Sequence, residues 1–152
     1  MKNLFLTFVF IFAANVADAQ YKSINAILDR LEERKGINQN LENVSIDDKK
    51  FVLIKDFNDH TERLFIVIKG DHATYVEIFD DKKTGESSSN VFSGDVVRSK
   101  KNVVSIRCDL LEGEQIIIPI TKTLLLTKQK DILYLIDINS KERWIDEKAF
   151  GK

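Results

Sequence analysis

The 152-residue chain holds one cysteine, one proline, one tryptophan and six glycines. A single thiol excludes an intrachain disulfide and a cysteine-built zinc cluster. So little glycine and proline excludes collagen-like and proline-rich chains. Charge of one sign is missing too: 23 Lys and Arg stand against 24 Asp and Glu, a net charge of −1. The chain as a whole therefore has no attraction for nucleic acid or for an anionic membrane. No Gly-x-Ser-x-Gly turn, glycine-rich phosphate loop or dinucleotide fingerprint occurs. No apolar stretch reaches the roughly twenty residues that a membrane-spanning helix needs.

What is present starts at the N-terminus. Lys2 is followed by an apolar run from Leu4 to Ala14, then by Ala17-Asp18-Ala19, a small-x-small cleavage site. This layout predicts a signal peptide over 1–19 and export to the periplasm or the outside. Residues 20–49 then read as a helix and a polar connector. Ile24, Ile27, Leu28 and Leu31 form one stripe at helical spacing over 23–35. That helix is too short to stand alone and is expected to brace a sheet.

From Phe51 onward the pattern is β. Short runs rich in Ile, Val, Leu and Phe are separated by turn residues, giving expected strands near 50–57, 61–69, 73–80, 91–98, 102–111, 115–120, 123–128, 131–138 and 141–146. The short connections favour antiparallel neighbours. The longest, 80–90, is polar throughout. The expected fold is mainly β: an antiparallel meander of eight or nine strands over 50–152, closing into a small barrel or stacking as a sandwich, with the helix forming one globular unit with it. Closure removes the exposed edges that such a sheet would otherwise carry.

A helix followed by this meander resembles the calycin-type, lipocalin-like barrels in architecture. The Gly-x-Trp of true lipocalins is absent near the first strand, and the single Trp144 lies near the C-terminus, where it is expected to pack into the core.

Several strands are apolar on both faces, among them Leu64–Ile68, Leu124–Leu126 and Leu133–Ile136. A dimer contact or a protein partner would cover the surplus. Cys108 alternates in phase with Val104, Ile106 and Leu110 and is expected in the core. His60 and His72 lie in successive turns, hence at opposite ends of one strand, too far apart to share a metal or a catalytic dyad. Asp56, Asp59, His60, Asp80 and Asp81 are expected to share one rim, where clustered carboxylates suggest a divalent cation.

Turns alternate ends in a meander. Lys69, Arg98, Lys100, Lys101 and Lys122 would then gather at the opposite, basic rim, available to an anionic ligand or acidic partner. The assignment depends on Pro119: if 115–128 is one bent strand with Pro119 at a bulge, no turn exists at 121 and the ends exchange thereafter. The leading functional expectation is an exported, non-enzymatic protein that binds another protein, as an inhibitor or an immunity-type neutraliser would, without a cofactor. The alternative is a carrier holding a small lipophilic ligand inside the barrel, where Phe51, Phe65, Phe79 and Tyr134 decide whether space remains. An enzyme ranks third, with no catalytic residues assigned.

Overall fold

The structure, a computed structural model, describes residues 40–99 and 102–151. The signal-like segment 1–19 and the stripe over 23–35 lie outside the described residues, as do Lys100 and Lys101. None of the described residues forms a helix long and apolar enough to cross a membrane.

Eight strands close into one antiparallel up-and-down barrel among the described residues. They are β1 Lys49–Asp56, β2 His60–Lys69, β3 His72–Asp81, β4 Ser87–Arg98, β5 Val103–Leu111, β6 Glu114–Gln129, β7 Ile132–Asp137 and β8 Arg143–Asp146. A 3-10 turn, Glu147–Gly151, follows. Closure comes from β1 meeting β8, with Phe51 opposite Asp146 and Val52 opposite Ile145.

Turn chemistry agrees with the backbone. Glu112 (φ 51°) and Gly113 (φ 88°) make the two-residue link from β5 to β6, with both central residues left-handed as the natural twist of a tight hairpin requires. Gly94 has a different reason. A Cβ built there would meet the Arg107 carbonyl oxygen at 2.0 Å, because β4 kinks against β5 at a register shift between Ser93 and Gly94.

Two expectations are corrected. Residues 115–120 and 123–128 are not two strands with a turn at Thr121-Lys122; they belong to the single sixteen-residue β6, in which Thr121 and Lys122 pair with Arg107 and Ile106. The register jumps from Cys108 opposite Ile120 to Leu110 opposite Gln115. Asp109 alone therefore faces the Ile116–Pro119 segment. This bulge absorbs the proline, which has no N–H to give to a ladder. Ser87–Asn90, placed in the long polar loop by the sequence, continue β4 and pair with Glu77–Asp80. The tight 82–86 turn makes that extension possible, with Asp81 accepting hydrogen bonds from the backbone N–H groups of Lys83 and Thr84.

With one turn fewer, the ends sort differently. Turns 57–59, 82–86, 112–113 and 138–142 meet at one end, the mouth. Turns 70–71 and 130–131, Ser99, Asn102, the 3-10 turn and residues 40–48 meet at the other, the base. His60 is at the mouth and His72 at the base, as their spacing requires.

The base is plugged. Leu41 and Ile46 are buried and Val44 partly so, all against the core. The Arg98 guanidinium donates to the backbone carbonyls of Leu41 and Val44. Above the plug, Phe51, Ile66, Ile68, Val104, Leu124, Leu126, Leu135 and Trp144 are fully buried. Each such side chain contributes about 1.5–3 kcal/mol through burial. Cys108 joins them, and burial pushes its thiol up from the usual value.

Candidate functional site at the barrel mouth

The wall is complete at the base and incomplete at the mouth. β7 and β8 have six and four residues, whereas β6 has sixteen and pairs with β7 only from Leu124 to Gln129. Residues 114–122 of β6 thus have β5 as their only strand neighbour among the described residues. Beside this gap lies a cavity of about 340 Å³.

The lining follows from alternation. Inward positions of β2 read Glu62, Leu64, Ile66 and Ile68; those of β3 read Ala73, Tyr75, Glu77 and Phe79; those of β6 read Lys122, Leu124 and Leu126. On β2, β3 and β6 the apolar inward run from the base is interrupted near the mouth by a charged residue, Glu62, Glu77 and Lys122 respectively. The switch puts Lys55, Glu62, Glu77, Lys122 and Glu142 around one space, with Tyr75 on its wall.

Lys55 lies 3.3 Å from Glu62 Oε2 and also pairs with Glu142. The bond to Glu142 does most to raise the Lys55 ammonium above its usual value, against the opposing effect of burial. For Glu142, burial works upward, but the bonds from Lys55 and Ser140 hold its carboxyl below the usual range. Tyr75 donates its hydroxyl to Glu77 Oε1 at 2.8 Å. Burial, reinforced by that bond, pushes the phenol well above its ordinary value, so it stays a proton donor and is unsuited to act as a nucleophile. Lys122 Nζ sits 4.6 Å from the centroid of the Tyr75 ring and 5.3 Å from that of Trp144. Both rings lie within reach of a cation–π contact.

At the rim, His60 is stacked between Phe57 (4.5 Å) and Phe79 (4.6 Å). The acidic set does assemble here, but each carboxylate is already engaged. Asp56 meets Lys82 at 2.6 Å and accepts from Thr61; Asp59 meets His60 Nδ1 at 2.7 Å. Asp80 takes both Arg63 Nε (2.7 Å) and Nη2 (3.0 Å), and Asp81 caps its turn. These bonds hold all four carboxyls below their usual range. Among the described residues, no group of three or more His, Cys, Asp or Glu side chains is placed to hold a metal ion.

Of the basic set, Lys122 alone is placed away from the base among the described residues. Lys69 ends β2 at the base, Arg98 is turned inward to fasten the plug, and Lys100 and Lys101 lie outside the described residues. Lys122 sits in mid-strand, inside the barrel and toward the mouth, because the turn expected at 121 does not exist.

The sequence did not single out Glu62, Tyr75, Glu77 or Glu142 as a group. The signal that finds them is a charged residue in phase with a run of core residues, as in Glu62-x-Leu64-x-Ile66. No known protein family, characterised protein or solved structure matches this chain.

Proposed function

We propose that this is a non-enzymatic binding protein that recognises another protein through the barrel mouth. The observation that carries the reading is the exposure of Ile117 (99%) and Ile118 (82%), side by side on the β6 bulge. Scattered single apolar residues are ordinary on a surface, but two adjacent, almost fully exposed isoleucines are not. They stand on the half of β6 that lacks a second strand neighbour among the described residues, at the end of the barrel that also exposes Phe57 and Phe79. Residues 1–19 support export as the route to the partner, in the periplasm or outside the cell.

A lipophilic carrier draws less support. Phe51 and Trp144 fill the interior beside Leu124, Leu126 and Leu135, and the space that remains is charged. Phe65 and Tyr134 do not enter that account, since each alternates with core residues, Leu64 and Ile66 in one case and Leu133 and Leu135 in the other, and so faces outward.

The test is site-specific photo-crosslinking in the native host. A crosslinker at position 117 should capture one discrete protein, whereas the same group at Val97, also exposed on the wall, should capture none. Equal labelling from both positions, or none from either, overturns the reading. A product at twice the chain mass would assign the surface to a second copy.

A further inference from the structure

The charges around the mouth cavity do not all find ion-pair partners among the described residues. Lys55 is met by Glu62 and Glu142. Lys122 and Glu77 are left. Neither is in ion-pair contact with the other or with another described residue; Lys122 rests on two rings and acts on Glu142 only through space, and Glu77 accepts a single hydroxyl bond. Tyr75 lies between them, its ring beneath the ammonium and its hydroxyl on the carboxylate. One cation and one anion therefore face the same cavity, held apart by the Tyr75 side chain.

We propose that this cavity binds a small zwitterion of the amino-acid class, with its carboxylate on Lys122 and its ammonium on Glu77. Pairing, not net charge, selects the class: the five groups sum to −1, but Lys55 is already shared by Glu62 and Glu142, which leaves one ammonium and one carboxylate. A dianion such as phosphate would meet three carboxylates, Glu62, Glu77 and Glu142, against two lysines, one of them already engaged. A simple cation would satisfy Glu77 and leave Lys122 facing it. Only a ligand carrying both charges satisfies both groups without disturbing the Lys55 pairs. Ligand sites generally run from about 300 to 1,000 Å³. The cavity, about 340 Å³, is at the small end and suits a compact molecule. Leu64 and Phe79 supply an apolar wall for a short side chain, and Asn90 and Ser88 supply polar groups for its specificity.

The same pair of charges has two sources: a free amino acid, or an acidic and a basic side chain presented by the partner proposed above. Only the second source rests on that reading. The experiment uses the full chain with glycine, leucine, glutamine, glutamate and lysine as separate probes, read by isothermal titration and thermal shift. Saturable binding of a free amino acid is expected, weakened at least ~10-fold by Lys122→Met and by Glu77→Gln. Both changes keep the side-chain stem, and an unchanged thermal melt of the unliganded variants certifies the fold. If no free amino acid binds but both variants abolish the position-117 crosslink, the charges come from the partner. Absence of binding together with an unaffected crosslink, or with no crosslink at all, overturns the proposal. Binding that both variants leave unchanged overturns it as well. A position-117 crosslink that survives while the zwitterion site fails leaves the protein-binding reading standing alone.

Discussion

Lys55, near the end of β1, pairs with Glu142 in the loop before β8, and this contact spans the part of the wall that the short β7 and β8 leave open. Glu62, 3.3 Å away across the β1–β2 ladder, makes it a three-member network. Backbone hydrogen bonds hold the barrel closed at the base, and side-chain charge continues the closure toward the mouth.

Lys55→Met should therefore destabilise the protein by about 1 kcal/mol, since all three side chains are only partly exposed and two carboxylates lose their cation. In a double-mutant cycle with Glu142→Gln, the second change should cost less in the Lys55→Met background than alone. Urea melts of the four proteins measure this. Additive losses would show that the contact does not brace the wall.

Gly94→Ala should be far more damaging, although Gly94 does not adopt a left-handed backbone. The added methyl would overlap the Arg107 carbonyl, a backbone atom that cannot swing aside. Relieving the overlap means pulling β4 from β5 beside the bulge, which should cost at least ~2 kcal/mol. A denaturation midpoint equal to that of the parent would contradict the close approach.

Glu112→Asn should stabilise. Glu112 holds a left-handed backbone (φ 51°) in an exposed two-residue hairpin turn, where asparagine is far better tolerated than glutamate. A gain of about 0.5 kcal/mol is expected. Calorimetry of the pair of proteins gives the answer.

The fold was largely legible because alternation is strong. Val104, Ile106, Cys108 and Leu110 announce a wall with one dry face, and the short turns announce antiparallel order. Pro119 concealed the rest. A proline in a β run reads either as a break or as a bulge in one bent strand, and the β5–β6 pairing, with Asp109 opposite the bulge, decides for the second. A turn at 121 would put Lys122 on a rim, whereas the single strand puts it inside the barrel. The acidic rim was legible because His60, Asp80 and Asp81 belong to adjacent strands whose register their connecting turn fixes. Its carboxylates having taken Lys82, Arg63, His60 and backbone N–H partners was not legible, since that depends on side-chain geometry.

Stability should fall at both ends of the pH scale, through different parts of the barrel. Asp56, Asp59, Asp80 and Asp81 lose their protons more readily in the fold than in the unfolded chain. Their contribution is present above about pH 4, the unfolded value, and is lost as the pH drops through the folded values. Asp80→Asn should flatten that acid limb. At the alkaline end, Cys108, Tyr75 and Lys55 all hold their protons more tightly when folded: burial acts first on the thiol and the phenol, and Glu142 acts first on the lysine. The folded state then binds more protons than the unfolded chain, so stability declines from about pH 8.5 upward as the unfolded thiol, phenol and amine titrate in turn. Tyr75→Phe should remove the phenol's share and leave a shallower decline above about pH 10. Equilibrium unfolding across the pH range would show this directly. An alkaline limb of unchanged slope in the Phe variant would mean that the Tyr75 hydroxyl is neither desolvated nor held by Glu77 in solution.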